Sequence, residues 1–107
     1  MIIIRNNIIP FKGYKAVNLF GILFCRKNAV LDEETLVHEG IHTKQMVEML
    51  FIIYYLWYGL EYLVRLIGCR NSHTAYRKVS FEQEAYSHEK DKGYLDIRRH
   101  YAWTEYL

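Results

Sequence analysis

Residues 31–67 contain no proline and only two glycines, Gly40 and Gly59, so a third of the chain is predicted to be helical. Asp32 supplies an N-cap, and Glu33 and Glu34 fill the first turn, where the helix dipole favours carboxylates. The segment is either one long helix or two joined near Gly59, and Asn71-Ser72 marks a break beyond it. Ser80 followed by Gln83 is a capping-box pattern that predicts another helix over residues 81–92, closed by Gly93. Residues 94–107 are expected to form a short aromatic C-terminal helix. The N-terminal thirty residues differ in character. Residues 2–4 and 18–26 are rich in β-branched and aromatic side chains and are separated by Asn6-Asn7, Pro10 and Gly13, which predicts two short strands or a hairpin.

These elements add up to one domain, with residues 1–30 β-rich and 31–107 helical, because 107 residues support a single modest core. Hydrophobic residues make up 51 % of the chain, which excludes a disordered polymer. A net charge of +2 is too small for a nucleic-acid surface, and the basic pairs at Arg77-Lys78 and Arg98-Arg99 read as solvated. Cys25 and Cys69 form no CxxC pair, and the first ten residues lack the pattern of a secretory signal. The expectation is a cytoplasmic protein with reduced, buried thiols.

The chemistry concentrates in His38-Glu39-Gly40-Ile41-His42, a match to H-E-x-x-H inside the predicted helix. Residues four apart on an α-helix lie one turn apart on nearly the same face, so His38 and His42 can share one metal ion. Glu39 projects from the flank of that face, where a carboxylate can take a proton from water activated by the metal. Five histidines and nine glutamates in 107 residues would produce the pattern by chance roughly 0.02 times. A catalytic zinc site usually has three protein ligands. The longer form of the motif, with glycine three and histidine six residues after the second histidine, is excluded by Gln45 and Glu48.

The third ligand is sought in Ser80-Phe81-Glu82-Gln83-Glu84-Ala85-Tyr86 on the following helix. Here the chain resembles the gluzincins, the thermolysin-like zinc metallopeptidases, and in particular the prenyl-protein endopeptidase and small bacterial branches, where E-x-x-A-D follows the H-E-x-x-H helix. The resemblance spans about residues 32–90, including Ala75-Tyr76-Arg77 and Phe81, and implies a zincin-like arrangement. It implies that Glu82 is the third zinc ligand beside His38 and His42, with Glu39 as the base. Glu84 is the alternative, but it lies about 200° around the helix from Glu82, so both cannot face one metal. Gln45 matches the glutamine that small gluzincins carry after the motif, where it holds a ligand or substrate or simply packs. The family also uses a tyrosine or histidine to support the oxyanion; Tyr76 is the first choice among Tyr76, Tyr86, His73 and His88. One departure stands out: Tyr86 occupies the position of the aspartate that hydrogen-bonds a zinc-bound histidine, and loss of such a partner weakens metal binding or activity. His73, His88 and His100 otherwise read as structural.

Residues 49–60, MLFIIYYLWYGL, carry no charge. The run falls short of the roughly 20 residues needed to span a bilayer, and Glu48, Glu61 and Arg65 bracket it. It is too apolar for an ordinary surface helix, so the rest of the core, a second copy of the chain or a membrane surface is expected to cover it, in that order. The expected fold is α+β, mostly helical, with a short N-terminal hairpin or small sheet packed on the motif helix. Two functions follow. One is a zinc metallopeptidase acting on a peptide or protein substrate; the other is a non-catalytic metal-binding, interaction or membrane-associated module on a degenerate peptidase fold.

Overall fold

A computed structural model describes residues 2–7 and 16–107. It is a mostly helical α+β domain with one small sheet, as expected from the sequence. Pro10 and Gly13, which the sequence reading places between the strands, lie outside the described residues. The sheet holds β1 (Ile2–Asn6), β2 (Ala16–Leu19) and β3 (Ile22–Arg26) in the order β1-β3-β2. The expected single strand over residues 18–26 is instead a tight hairpin. Phe20 and Gly21 both have positive φ, 54° and 84°, the requirement of a two-residue turn whose twist suits antiparallel strands. β1 then pairs parallel to β3, with Ile4 opposite Phe24. Leu23 and Cys25 of β3 are fully buried beneath the helices. Both cysteines are free, and Cys69 is half-buried rather than enclosed.

The motif helix α1 (Glu33–Glu48) begins where the sequence places it, with Thr35 N–H donating to the Asp32 carboxylate at 2.9 Å. It ends earlier than expected. The chain turns through 111° at residues 49–51 before α2 (Ile52–Cys69), while Gly59 lies inside α2 with open space around it. Leu50 and Phe51 both adopt positive φ at this bend, a conformation costing about 1–2 kcal/mol per residue. The compensation is tertiary: the bend folds α2 back so that Tyr54 joins Met46, Val79, Phe81 and Trp103 in the main core cluster. A straight continuation would carry those aromatics into solvent.

Asn71 caps α3 (Ser72–Lys78), accepting from Thr74 N–H at 2.9 Å. The capping box predicted at Ser80 does not form. α4 (Ser80–His88) is capped from outside by Glu61 of α2, whose carboxylate accepts from Ser80 N–H at 2.8 Å and Ser80 Oγ at 2.6 Å. A carboxylate at a helix N-terminus satisfies an orphan donor and the dipole together. Gln83 turns back to Lys78 O instead. α4 also stops at His88, short of the expected Lys92, and Gly93 precedes α5 (Tyr94–Ile97) without a left-handed φ. The C-terminal segment is therefore α5 plus a 3-10 helix, Ala102–Tyr106, rather than one helix. Gly40 of α1 faces α5: a Cβ there would come within 2.8 Å of Leu95 Cδ1, so the leucine side chain would have to shift.

α2 is covered on one side only. Its tyrosine face turns inward, while Ile52, Leu56, Leu60, Leu63, Val64 and Ile67 are 56–78 % exposed. The core thus accounts for half of the apolar run and leaves the rest open. No single described helix is long and apolar enough to cross a membrane.

Candidate metal centre

Three buried side chains from two helices converge: His38 and His42 of α1, and Glu82 of α4. Their ligand atoms form a nearly equilateral triangle. His38 Nε2 lies 3.1 Å from His42 Nε2, and Glu82 Oε1 lies 3.2 Å and 3.0 Å from the two nitrogens. Neighbouring ligands of a tetrahedral metal with bonds of about 2.0–2.1 Å stand about 3.3–3.4 Å apart, so a small relaxation would admit an ion.

The surroundings determine which atoms face the centre. Gln45 Nε2 donates to Phe81 O and to Glu84 Oε1, both at 3.0 Å, which leaves Gln45 Oε1 to accept from His42 Nδ1–H at 2.8 Å. His38 Nδ1–H donates to the Glu89 carboxylate at 2.9 Å. With both Nδ1 positions protonated, each neutral imidazole presents an Nε2 lone pair to the same point, beside a carboxylate oxygen. Three lone pairs that close are mutually repulsive unless a cation lies among them. His38, His42 and Glu82 therefore form a group that could hold a metal ion. Without a metal, a proton serves: burial disfavours a charged His42, but the Glu82 carboxylate outweighs it and raises the imidazole pKa to about 9. Glu82 moves the other way, its burial more than offset by His42, His38 and Tyr58. Tyr58 O–H donates to the remaining Glu82 oxygen at 2.7 Å.

Every candidate ligand is thus oriented by a second residue, as metal sites require. Glu89 was not identified from sequence, although it lies seven residues beyond Glu82 and so returns to the same side of the chain's helical path. It holds His38 from one face, and the Tyr86 ring packs edge-on to His38 from another, at 4.5 Å between centroids. The carboxylate that meets His38 is thus Glu89, and Tyr86 gives that histidine a ring contact instead of an acceptor. If the group holds a metal ion, converting Glu89 to Gln is expected to weaken its affinity by about 10–100-fold, measured by competition with a chromophoric chelator. A change under about twofold would mean that Glu89 does not orient the ligand.

Glu84 does not enter the triangle. It is fully buried on the opposite side of α4, bonded to Gln45, Tyr94 and Arg98. The alternative third ligand is thus a buried partner of Arg98 instead. Gln45 acts on a candidate ligand, His42, and not through packing alone. Glu39 lines the cleft beside the triad, and its carboxylate accepts no hydrogen bond among the described residues. Burial raises its pKa above the usual carboxylate value despite the neighbouring His42 and His38. Its backbone carbonyl accepts from Asn18 Nδ2 at 2.9 Å, which ties β2 to the motif helix.

The cleft has a volume of about 870 Å³ and is walled by β2 on one side and by tyrosines of α2, α3 and α4 on the other. Tyr76 is among them, but its hydroxyl pairs with Tyr86 at 2.9 Å rather than with a triad member. Burial, then the Glu82 charge, keeps Tyr76 protonated. His73 reaches the cleft rim, whereas His88 stacks on Tyr94 away from it and His100 pairs with Glu48. Comparison of the chain with protein-family models, curated proteins and solved structures finds no match to any of them.

Proposed function

We propose that the protein is a zinc-dependent peptidase of the gluzincin type, with His38, His42 and Glu82 as ligands, Glu39 as base and Tyr76 as oxyanion donor. The observation that carries this reading is the convergence of two oriented imidazole lone pairs and one carboxylate oxygen beside a second, unbonded carboxylate in an open cleft. A purely structural site has no use for Glu39 at the cleft wall. Two histidines and a carboxylate also suit zinc better than calcium or magnesium, which prefer all-oxygen shells.

When bound, zinc supplies Lewis-acid chemistry, polarising a carbonyl and making water acidic near neutral pH. Glu39 takes the proton of the attacking water and delivers it to the leaving amine. Its raised pKa suits both halves of that transfer. Tyr76 donates its O–H to the oxyanion, with Tyr86 steadying the phenol. The edge strand β2, which pairs only with β3 among the described residues, offers main-chain groups to an extended peptide along the cleft.

The test begins with zinc content per chain and hydrolysis of an unfolded protein substrate. Wild type is expected to hold close to one zinc, to lose hydrolysis on chelation and to regain it with added zinc. His38→Ala and Glu82→Ala should hold little metal. A wild type that takes up no zinc would sink the proposal, and one that binds zinc without hydrolysing any peptide would favour a non-catalytic metal-binding module.

A further inference from the structure

We propose that the exposed face of α2 is an in-plane anchor that docks the protein on an anionic lipid bilayer. Successive residues of an α-helix advance by about 100°. Ile52, Ile53, Leu56, Leu60, Leu63, Val64 and Ile67 consequently fall within one arc, with Gly59, Gly68 and Trp57 at its margins. The half-circumference they occupy carries no polar side chain apart from the indole N–H of Trp57, which donates to Glu61 at 3.0 Å. From Ile52 to Ile67 the stripe runs about 22 Å. Monomeric proteins rarely leave so continuous an apolar surface to water.

Charge identifies the occupant. Residues 62–81 contain four cations and no acid. Arg77 lies over the Tyr86 ring, 3.6 Å from its centroid, and Arg65 falls outside the apolar arc, which leaves Arg70, at the C-terminal end of the stripe, and Lys78 as the exposed cations that no aromatic ring holds. Glu61 is the single acid between residues 49 and 81, so that region carries 4 − 1 = +3 against +2 for the whole chain. Both Glu61 oxygens are already bonded, to Ser80 and Trp57. A second copy of this chain meeting the face symmetrically would bring no free acid to these cations. An anionic headgroup layer supplies the missing charge, and its acyl boundary takes the aliphatic stripe to a depth of about 5–10 Å. Spanning is ruled out by the opposite face of the same helix, where Tyr54, Tyr58 and Tyr62 line the cleft. α2 thereby separates the cleft from the bilayer by about one helix diameter, roughly 10 Å.

The full chain is to be assayed by flotation with vesicles of phosphatidylcholine alone and of phosphatidylcholine with phosphatidylserine. Wild type is expected to float with the phosphatidylserine vesicles and much less with the neutral ones. Leu56→Glu/Leu60→Glu should weaken that binding at least about tenfold. Arg70→Gln/Lys78→Gln, a pair of exposed changes that leaves the apolar stripe intact, should also weaken it about tenfold. Circular dichroism and thermal melting, run on every variant, separate lost docking from lost fold. The proposal is overturned if wild type floats with neither vesicle, floats equally with both, or is unaffected by the Leu56/Leu60 change. It is likewise overturned if wild type is a dimer that this change dissociates while vesicle binding is absent, since the second copy would then be the occupant.

Discussion

Glu39→Gln is expected to lower peptide hydrolysis by about 10²–10⁴-fold, the usual contribution of a positioned acid–base group, while zinc per chain stays at the wild-type level. The amide has nearly the shape of the carboxylate but cannot accept the proton. Zinc should be retained because Glu39 orients none of the three ligands: His38, His42 and Glu82 are held by Glu89, Gln45 and Tyr58. Stability should move the opposite way from activity. The folded-state pKa of Glu39 lies above its unfolded value, chiefly through burial, so at neutral pH its ionised form is stabilised more in the unfolded chain. Removing that charge should leave Tm unchanged or raise it. A residue that lowers stability and serves catalysis is the usual mark of a functional group. Unchanged hydrolysis in the variant would place the base elsewhere, and joint loss of zinc and hydrolysis would make Glu39 part of the metal site.

Arg98→Met should be the most damaging single change to the fold. The guanidinium is 3 % exposed and bridges two helices, donating to both Glu48 oxygens at 2.8 and 3.0 Å and to both Glu84 oxygens at 2.6 and 3.0 Å. Its loss strands two buried carboxylates, which costs about 3–5 kcal/mol. Against a total stability of about 5–15 kcal/mol, that corresponds to a fall in Tm on the order of 10–30 °C. Replacing Glu84 and Glu48 by Leu as well should recover much of the loss, because the damage comes from the unpaired charge and not from the missing bridge. Burial alone would raise the pKa of Glu48, but Arg98 and Tyr101 N–H hold it below the ordinary value of 4.5. A depressed pKa stabilises the fold above the unfolded value and loses that contribution as pH falls through the folded one. The gap in Tm between wild type and Arg98→Met should therefore narrow as pH drops below about 4.5. A gap that is constant with pH would show that Arg98 acts through packing alone. Because Glu84 also holds Gln45, and Gln45 holds His42, the variant should lose zinc affinity even where it remains folded.

The departures from the sequence reading have identifiable causes. The bend at Leu50-Phe51 contains neither glycine nor proline, so local propensity is silent; the positive φ values are compensated by burying Tyr54 against Met46 and Phe81. Ser80 and Gln83 resemble a capping box, but Glu61, 19 residues earlier, is the stronger acceptor and takes the end of α4. Glu48, Glu84 and Glu89 read alike in one dimension. Each is tied down by a partner at least 14 residues away in the chain, and no spacing rule announces such a pair.

What the sequence by itself determined is local. It determined the α1 helix from Asp32 onward, the one-turn spacing that sets His38 and His42 on a common face, the position of Glu39 beside them and the break at Asn71-Ser72. These depend on i to i+4 geometry and on backbone donors a few residues away. Glu82 was reached only through resemblance. The tertiary structure alone decided that Glu82 rather than Glu84 meets the histidines, that Glu89 holds His38 from its other nitrogen, that β1 runs parallel to β3, and that one side of α2 stays bare. Those outcomes depend on which surfaces are withdrawn from water together, a property of the whole packed chain that no short window contains.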